Sequence, residues 1–138
     1  MDKSSYKLLR DKHVGVTKPR MAIIDYLDKH RTHPTVDVIY RDLVREIPTL
    51  SRTTIYNVAK KLAESGIIQL LSIDDEKIHL DGDITPHAHF YCNKCGMVYD
   101  LEIQNVSIKN NIIQGHKIEQ IHQYYKGVCV KCNSFNNN

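Results

Sequence analysis

Four cysteines in two Cys-x-x-Cys pairs, Cys92-Asn93-Lys94-Cys95 and Cys129-Val130-Lys131-Cys132, constrain this chain more than any other feature. Each pair can present two thiolates to one metal from a single turn, and four thiolates form the ligand set of a closed, structural Zn(II) site. The 33 intervening residues exceed the loop of a simple ribbon, so a small fold must bring the pairs together. Its expected elements are a strand over Met97 to Ile103, a short helix over Ser107 to Ile113 and a strand over Lys117 to Tyr125. So small a fold lacks the apolar area to stand alone, and metal binding can supply the missing stability.

Immediately before the first pair runs PHAHFYCNKC, from Pro86 to Cys95. His87 to Cys92 is rich in aromatic residues and free of internal glycine and proline, which reads as a strand. Side chains alternate along a strand, so His87 and His89 share one face with Tyr91 while Cys92 lies on the other. Histidines and cysteines therefore serve different metals. Asp81 and Asp100 lie close in sequence to the histidines. Imidazole and carboxylate without thiolate suit Fe(II), Mn(II) or Zn(II), and such a set with an open position is the non-haem iron pattern.

The first half of the chain has a different character. Residues 1–64 carry 13 of the 19 Lys/Arg against 8 of the 16 Asp/Glu, a net +5, whereas the remainder is net −2. A basic half joined to an acidic, ligand-rich half suggests a nucleic-acid module coupled to a metal module. Lys3 to His13 reads as a short helix. Thr17 caps a second helix that carries Pro19 in its first turn and ends near His30. A third begins after His33-Pro34-Thr35, with Val36, Ile39, Tyr40, Leu43 and Val44 at helical spacing. The turn Ile47-Pro48-Thr49-Leu50 leads to a fourth, capped by Ser51 and stopped by Gly66.

In this fourth helix Ile55, Val58, Ala59 and Leu62 face the core. Arg52, Thr53, Tyr56, Asn57 and Lys60 face outward, a set suited to base edges and phosphates in a major groove. Helix, turn and helix followed by two short strands, Ile67 to Ile73 and Lys77 to Asp81, is a winged helix. Gly82 to Pro86 reads as a hinge. The expected organisation is α+β: a winged-helix DNA-binding domain over 1–82 and a small C-terminal α/β domain over 83–138.

Several classes fall away. A zinc deaminase needs His-x-Glu and Pro-Cys-x-x-Cys, and the chain has neither. A bare zinc ribbon explains the cysteines alone, and an iron oxygenase leaves the helix-turn-helix unexplained. No enzymatic activity is expected. Apolar runs such as Gly66 to Leu71 are too short to span a bilayer, and the polar opening MDKSSYKLLRDKH reads as no signal peptide. A cytoplasmic location without membrane contact is expected, where thiols bind metal more often than they pair.

TKPR at Thr17, HPTVDVIY at His33, SRTTIYNVAKKL at Ser51, HAHFYCNKCG at His87 and GVCVKC at Gly127 occur in this order. In them the chain resembles the ferric uptake regulator superfamily of metal-dependent repressors, most of all its peroxide-responsive branch. The resemblance runs from about Leu8 to Cys132. It implies a homodimer that binds a palindromic double-stranded operator, with a C-terminal dimerisation domain holding structural Zn(II) on Cys92, Cys95, Cys129 and Cys132.

It further implies a regulatory Fe(II) or Mn(II) between the domains on His33, Asp81, His87, His89 and Asp100. His79 and Asp83 compete with Asp81 for the wing position. Candidate DNA contacts are Arg20, Arg52, Thr53, Tyr56, Asn57 and Lys60. The branch rests on Asp81 and on Asp100, where iron sensors usually have glutamate, and on Pro86, Ala88 and Ile121, none of which can ligate a further metal. The implied signal is Fe(II)-dependent oxidation of His33 or His87 by peroxide. The alternative is an uptake regulator for iron, zinc or manganese that does not sense peroxide.

Overall fold

A computed structural model of the chain describes residues 3–104 and 108–133. It divides into two compact units, Met1–Ile84 and Thr85–Asn138.

Unit 1 opens with four helices, α1 (Lys3–Asp11), α2 (Lys18–Lys29), α3 (Val36–Leu43) and α4 (Arg52–Glu64). Three of them start on hydroxyl caps. Thr17 accepts from the Arg20 N–H, Thr35 from Val38 and Ser51 from Thr54, each satisfying a donor that the first turn leaves unpaired. Gly66, at φ +74°, ends α4 in a left-handed residue that a Cβ would strain. There the Gly66 and Ile67 N–H groups close back on the carbonyls of Ala63 and Leu62. Ile23, Leu27, Ile39, Ile55, Ala59 and Leu62 meet in one apolar cluster, with Val58 packed on its edge.

The wing hairpin follows, β1 (Gln69–Leu71) antiparallel to β2 (His79–Asp81). Both strands are shorter than the apolar runs suggested. The far side of β2 is occupied as well: Leu80 N–H donates to the Pro34 carbonyl at 2.8 Å, and Thr35 bridges His79. The approach to α3 thus acts as a third, partial strand of the wing, and this pairing carries the His33 segment to Asp81.

Unit 2 is built on a three-stranded sheet in the order β4-β3-β7, where β3 is Ala88–Cys92, β4 is Val98–Leu101 and β7 is Gln123–Gly127. β4 runs antiparallel to β3, and β7 parallel. The expected short helix over Ser107 to Ile113 does not form where it can be followed, Ser107 lying outside the described residues. Lys109–Asn111 is instead a single 3-10 turn, with Asn110 and Asn111 both at positive φ. It leads into a small hairpin of β5 (Ile112–Ile113) and β6 (His116–Lys117). Two asparagines tolerate the left-handed region, and Gln114-Gly115, both at positive φ, make the two-residue turn that such a hairpin demands. The strand expected over Lys117 to Tyr125 is accordingly split between β6 and β7. Among the described residues no helix is long and apolar enough to cross a membrane.

Candidate metal centres and nucleic-acid face

The cysteine cluster follows from strand register. Cys92 ends β3, fully buried, and lies opposite Gly127 of parallel β7, so Cys129 arrives beside it two residues later. Gly96, at φ +75°, turns the chain back after the first pair, its N–H on the Cys92 carbonyl. The backbone N–H groups of Lys94, Cys95 and Cys129 all donate to Cys92 Sγ at 3.3–3.4 Å. Led by the Cys95 N–H, these bonds pull the thiol down to about 6, so a thiolate is already favoured. Cys132 is pushed the other way, to about 12, because its hydrogen bonds to Cys129 and Cys95 favour the protonated form. Such crowded sulfurs ionise together only around a cation.

All four sulfurs lie within 4.8 Å of one another, and Cys95 Sγ stands 3.8 Å from Cys129 Sγ. Tetrahedral zinc with bonds of about 2.3 Å sets its sulfurs about 3.8 Å apart. A disulfide would need about 2.05 Å. The donor set fits zinc.

The imidazole and carboxylate groups form two sets, one in each unit. In unit 1, His33 Nε2 lies 3.4 Å from Asp81 Oδ2, both side chains buried. His33 holds φ +56°, a region that costs a non-glycine residue of order 1 kcal/mol or more. The pairing of Pro34 and Thr35 with β2 holds it there. His79, the rival ligand, is committed elsewhere: Nδ1 meets the His33 carbonyl at 2.7 Å and Nε2 meets Asp74 at 3.2 Å. Asp83 gives its N–H to the Asp81 Oδ1, so it orients Asp81.

In unit 2, register sets His89 directly opposite Asp100. The Asp100 Oδ1 lies 3.0 Å from His87 Nε2 and 3.4 Å from His89 Nε2. Two ligands each about 2.1 Å from one ion stand roughly 3.0–3.4 Å apart, so these spacings suit a shared metal. His87 Nδ1 donates to the Thr85 carbonyl at 2.6 Å, which orients the ring with Nε2 toward Asp100. The histidines and the cysteines occupy opposite faces of β3, as alternation requires.

Thr53, Tyr56, Asn57 and Lys60 are all exposed along one side of α4. Arg52 is exposed too, but its side chain is held, with Nε on Asp37 at 2.7 Å and the guanidinium over the Tyr40 ring at 4.3 Å. That hydrogen bond, joined by one from Lys77, keeps the Asp37 carboxyl below the usual carboxylate range. Arg20 is half-buried, and its guanidinium contacts the loop before α2. It donates to the Gly15 carbonyl at 2.8 Å and braces the loop between α1 and α2. The sequence pattern places Tyr40 in the stripe of α3 and Lys77 at the start of a wing strand, and gives Asp37 no role. An acidic residue in the first turn of α3 is explained by the helix dipole alone, and nothing local distinguished it.

A winged helix followed by a sheet with two metal-ligand sets defines a metal-responsive DNA-binding regulator. The ferric uptake regulator family model matches residues 11–126, and the chain belongs to that family, whose members are dimeric DNA-binding regulators. It is 31% identical to the peroxide-responsive repressor PerR of Staphylococcus aureus (strain USA300), over 90% of this chain and 86% of that protein. The structure of PerR from Streptococcus pyogenes is similar at 31% identity and a TM-score of 0.54, covering 95% and 92% of the two chains. The Vibrio cholerae ferric uptake regulator shares the fold at a TM-score of 0.70 and 21% identity, over 89% and 98%. The protein is a metalloregulator with an N-terminal winged helix and a C-terminal dimerisation domain.

Proposed function

We propose that this regulator is a repressor whose signal is peroxide. The observation that carries the reading is Asp100, a short carboxylate shared by His87 and His89 through one oxygen. His33 and Asp81 complete the regulatory set, and Zn(II) on Cys92, Cys95, Cys129 and Cys132 holds the dimerisation domain. The five imidazole and carboxylate ligands come from both units, so an ion that binds all five favours one relative arrangement of them. Binding that arrangement alone shifts the population toward the DNA-competent dimer. Two recognition helices related by dimer symmetry then suit a palindromic operator, contacted through Arg52, Thr53, Tyr56, Asn57 and Lys60. Arg20, at the start of α2, adds a further contact while bracing its loop.

Fe(II) held by this set would activate peroxide, whereas Mn(II) would support the same arrangement without that chemistry. A ring carbon of His33 or His87 would take one peroxide oxygen while the other leaves as water. Peroxide is thus the two-electron oxidant of the imidazole, and the altered ring would be a poorer ligand. The similarity to peroxide-responsive repressors supports this reading. The likeness in fold to an iron regulator keeps one alternative, an uptake regulator indifferent to peroxide. Iron-loaded protein on operator DNA, treated with low peroxide and analysed by peptide mass, separates the two. Release from DNA with one oxygen added to the peptide of His33 or His87 is expected. Intact histidines and retained DNA would establish the uptake regulator instead.

A further inference from the structure

Asp37 stands in the first turn of α3, and its carboxylate reaches two other elements. Oδ1 accepts from Nε of Arg52, the first residue of α4, at 2.7 Å, and Oδ2 lies 3.4 Å from Nζ of Lys77, just ahead of β2. Tyr40, three residues further along α3, lies under the Arg52 guanidinium at 4.3 Å. One carboxylate and one ring thus hold the leading cation of the recognition helix and a cation of the wing.

The side chains of Asp37, Arg52 and Lys77 are each at least half exposed, so water screens these pairs and they add little to stability. They do fix geometry. A guanidinium is a rigid plane, and with its Nε–H on Asp37 and one face on Tyr40 its orientation is set. These contacts leave the two terminal amino groups, the pair that makes a bidentate contact to guanine O6 and N7 in the major groove. Arranging such a side chain beforehand lowers the entropy cost of reading the base.

We infer that Asp37 is a specificity-positioning residue. It aims Arg52 at a guanine and ties Lys77 of the wing to the same frame, so that helix and wing meet DNA in a fixed relation. This rests on the proposal that α4 reads the operator. Asp37 touches no base, and its negative charge opposes phosphate. Its removal therefore has a double signature that loss of folding cannot imitate. Arg52 and Lys77, once released, turn to phosphates, so affinity for random DNA holds or rises and its salt dependence steepens, while discrimination falls.

The test uses full-length protein with excess Mn(II) and a duplex selected by the wild type from a random pool. Binding to this operator and to scrambled duplex is measured across salt concentrations. For Asp37→Ala the operator-to-random ratio should fall about tenfold or more, the discrimination carried by one bidentate base contact. The salt slope should grow by about one to two units. Asp37→Asn, which keeps an acceptor for Nε, should recover part of the ratio. Arg52→Ala should lower the ratio by itself and leave Asp37→Ala with no further effect. An unchanged ratio in Asp37→Ala, or equal losses on both duplexes, would overturn the inference while leaving the DNA-reading function intact. A wild type with no preference among duplexes would overturn both.

Discussion

Cys95→Ser tests whether unit 2 depends on its cysteine cluster for its fold. Among the described residues of this unit, the buried apolar side chains are Ala88, Cys92, Val98 and Cys129, and two of these four belong to the cysteine cluster. Their burial contributes on the order of 5 kcal/mol. Ordering strands of five, four and five residues costs roughly 1–2 kcal/mol per residue, on the order of 20 kcal/mol in all. Zinc on a cysteine-rich site supplies about 10–16 kcal/mol, a term of the size of that gap.

Serine replaces a thiolate with a hydroxyl that stays protonated and binds zinc poorly. The substituted protein should hold well under one zinc per chain, elute as a monomer and lose the sheet. Unit 1 should remain folded, because its apolar cluster draws on α1 to α4 and the wing. Hydrogen exchange followed by mass spectrometry reads both units in one experiment. Amides of β3 and β7 should exchange at least about a hundredfold faster, roughly 2.7 kcal/mol of lost protection. Those around Ile55 and Leu62 should be unchanged. A Cys95→Ser protein that keeps one zinc per chain and full protection in β3 would refute this reasoning.

Asp100→Glu should preserve iron-dependent DNA binding yet suppress histidine oxidation, because the longer carboxylate changes how closely its oxygens approach the ion. DNA retention and peptide mass after peroxide measure it, and undiminished oxidation would remove Asp100 from its assigned role. Lys60→Ala should weaken binding to operator and random duplex alike and reduce the salt slope by about one unit, as read by titration at several salt concentrations. Tyr26→Phe removes a buried hydroxyl that donates to Asp42 at 2.6 Å and should cost roughly 1–2 kcal/mol in denaturant unfolding. Burial, then the Asp42 hydrogen bond, raises Tyr26 to about 12 from an ordinary 10. The protonated hydroxyl therefore stabilises the fold fully below pH 10, and that contribution is lost as pH rises through 12. The destabilisation seen in Tyr26→Phe should shrink across that window, and a constant difference would exclude the linkage.

Much of the local structure was legible in the sequence because its signals are local. Thr17 and Ser51 mark the starts of α2 and α4 through hydroxyls that reach their own first turns, and Gly66 marks a stop through its positive φ. The two-residue period of a strand separated His87 and His89 from Cys92 before any partner strand was known. Where the signal lay in a pair of short elements the reading failed. Ser107 to Ile113 read as a short helix because two isoleucines beside turn residues have no period long enough to measure.

Long-range register decided what the sequence could not. The parallel pairing of β7 with β3 brings Cys129 to Cys92, and the pairing of Pro34 and Thr35 with β2 brings His33 to Asp81. That same contact occupies His79, while Asp81 Oδ2 stands 3.4 Å from His33 Nε2. Arg20 and Arg52 read alike as basic surface residues. Tertiary contacts separate them, setting one against the Gly15 carbonyl and the other between Asp37 and Tyr40. A side chain's type follows from the sequence, but its orientation depends on acceptors that the fold brings from distant positions.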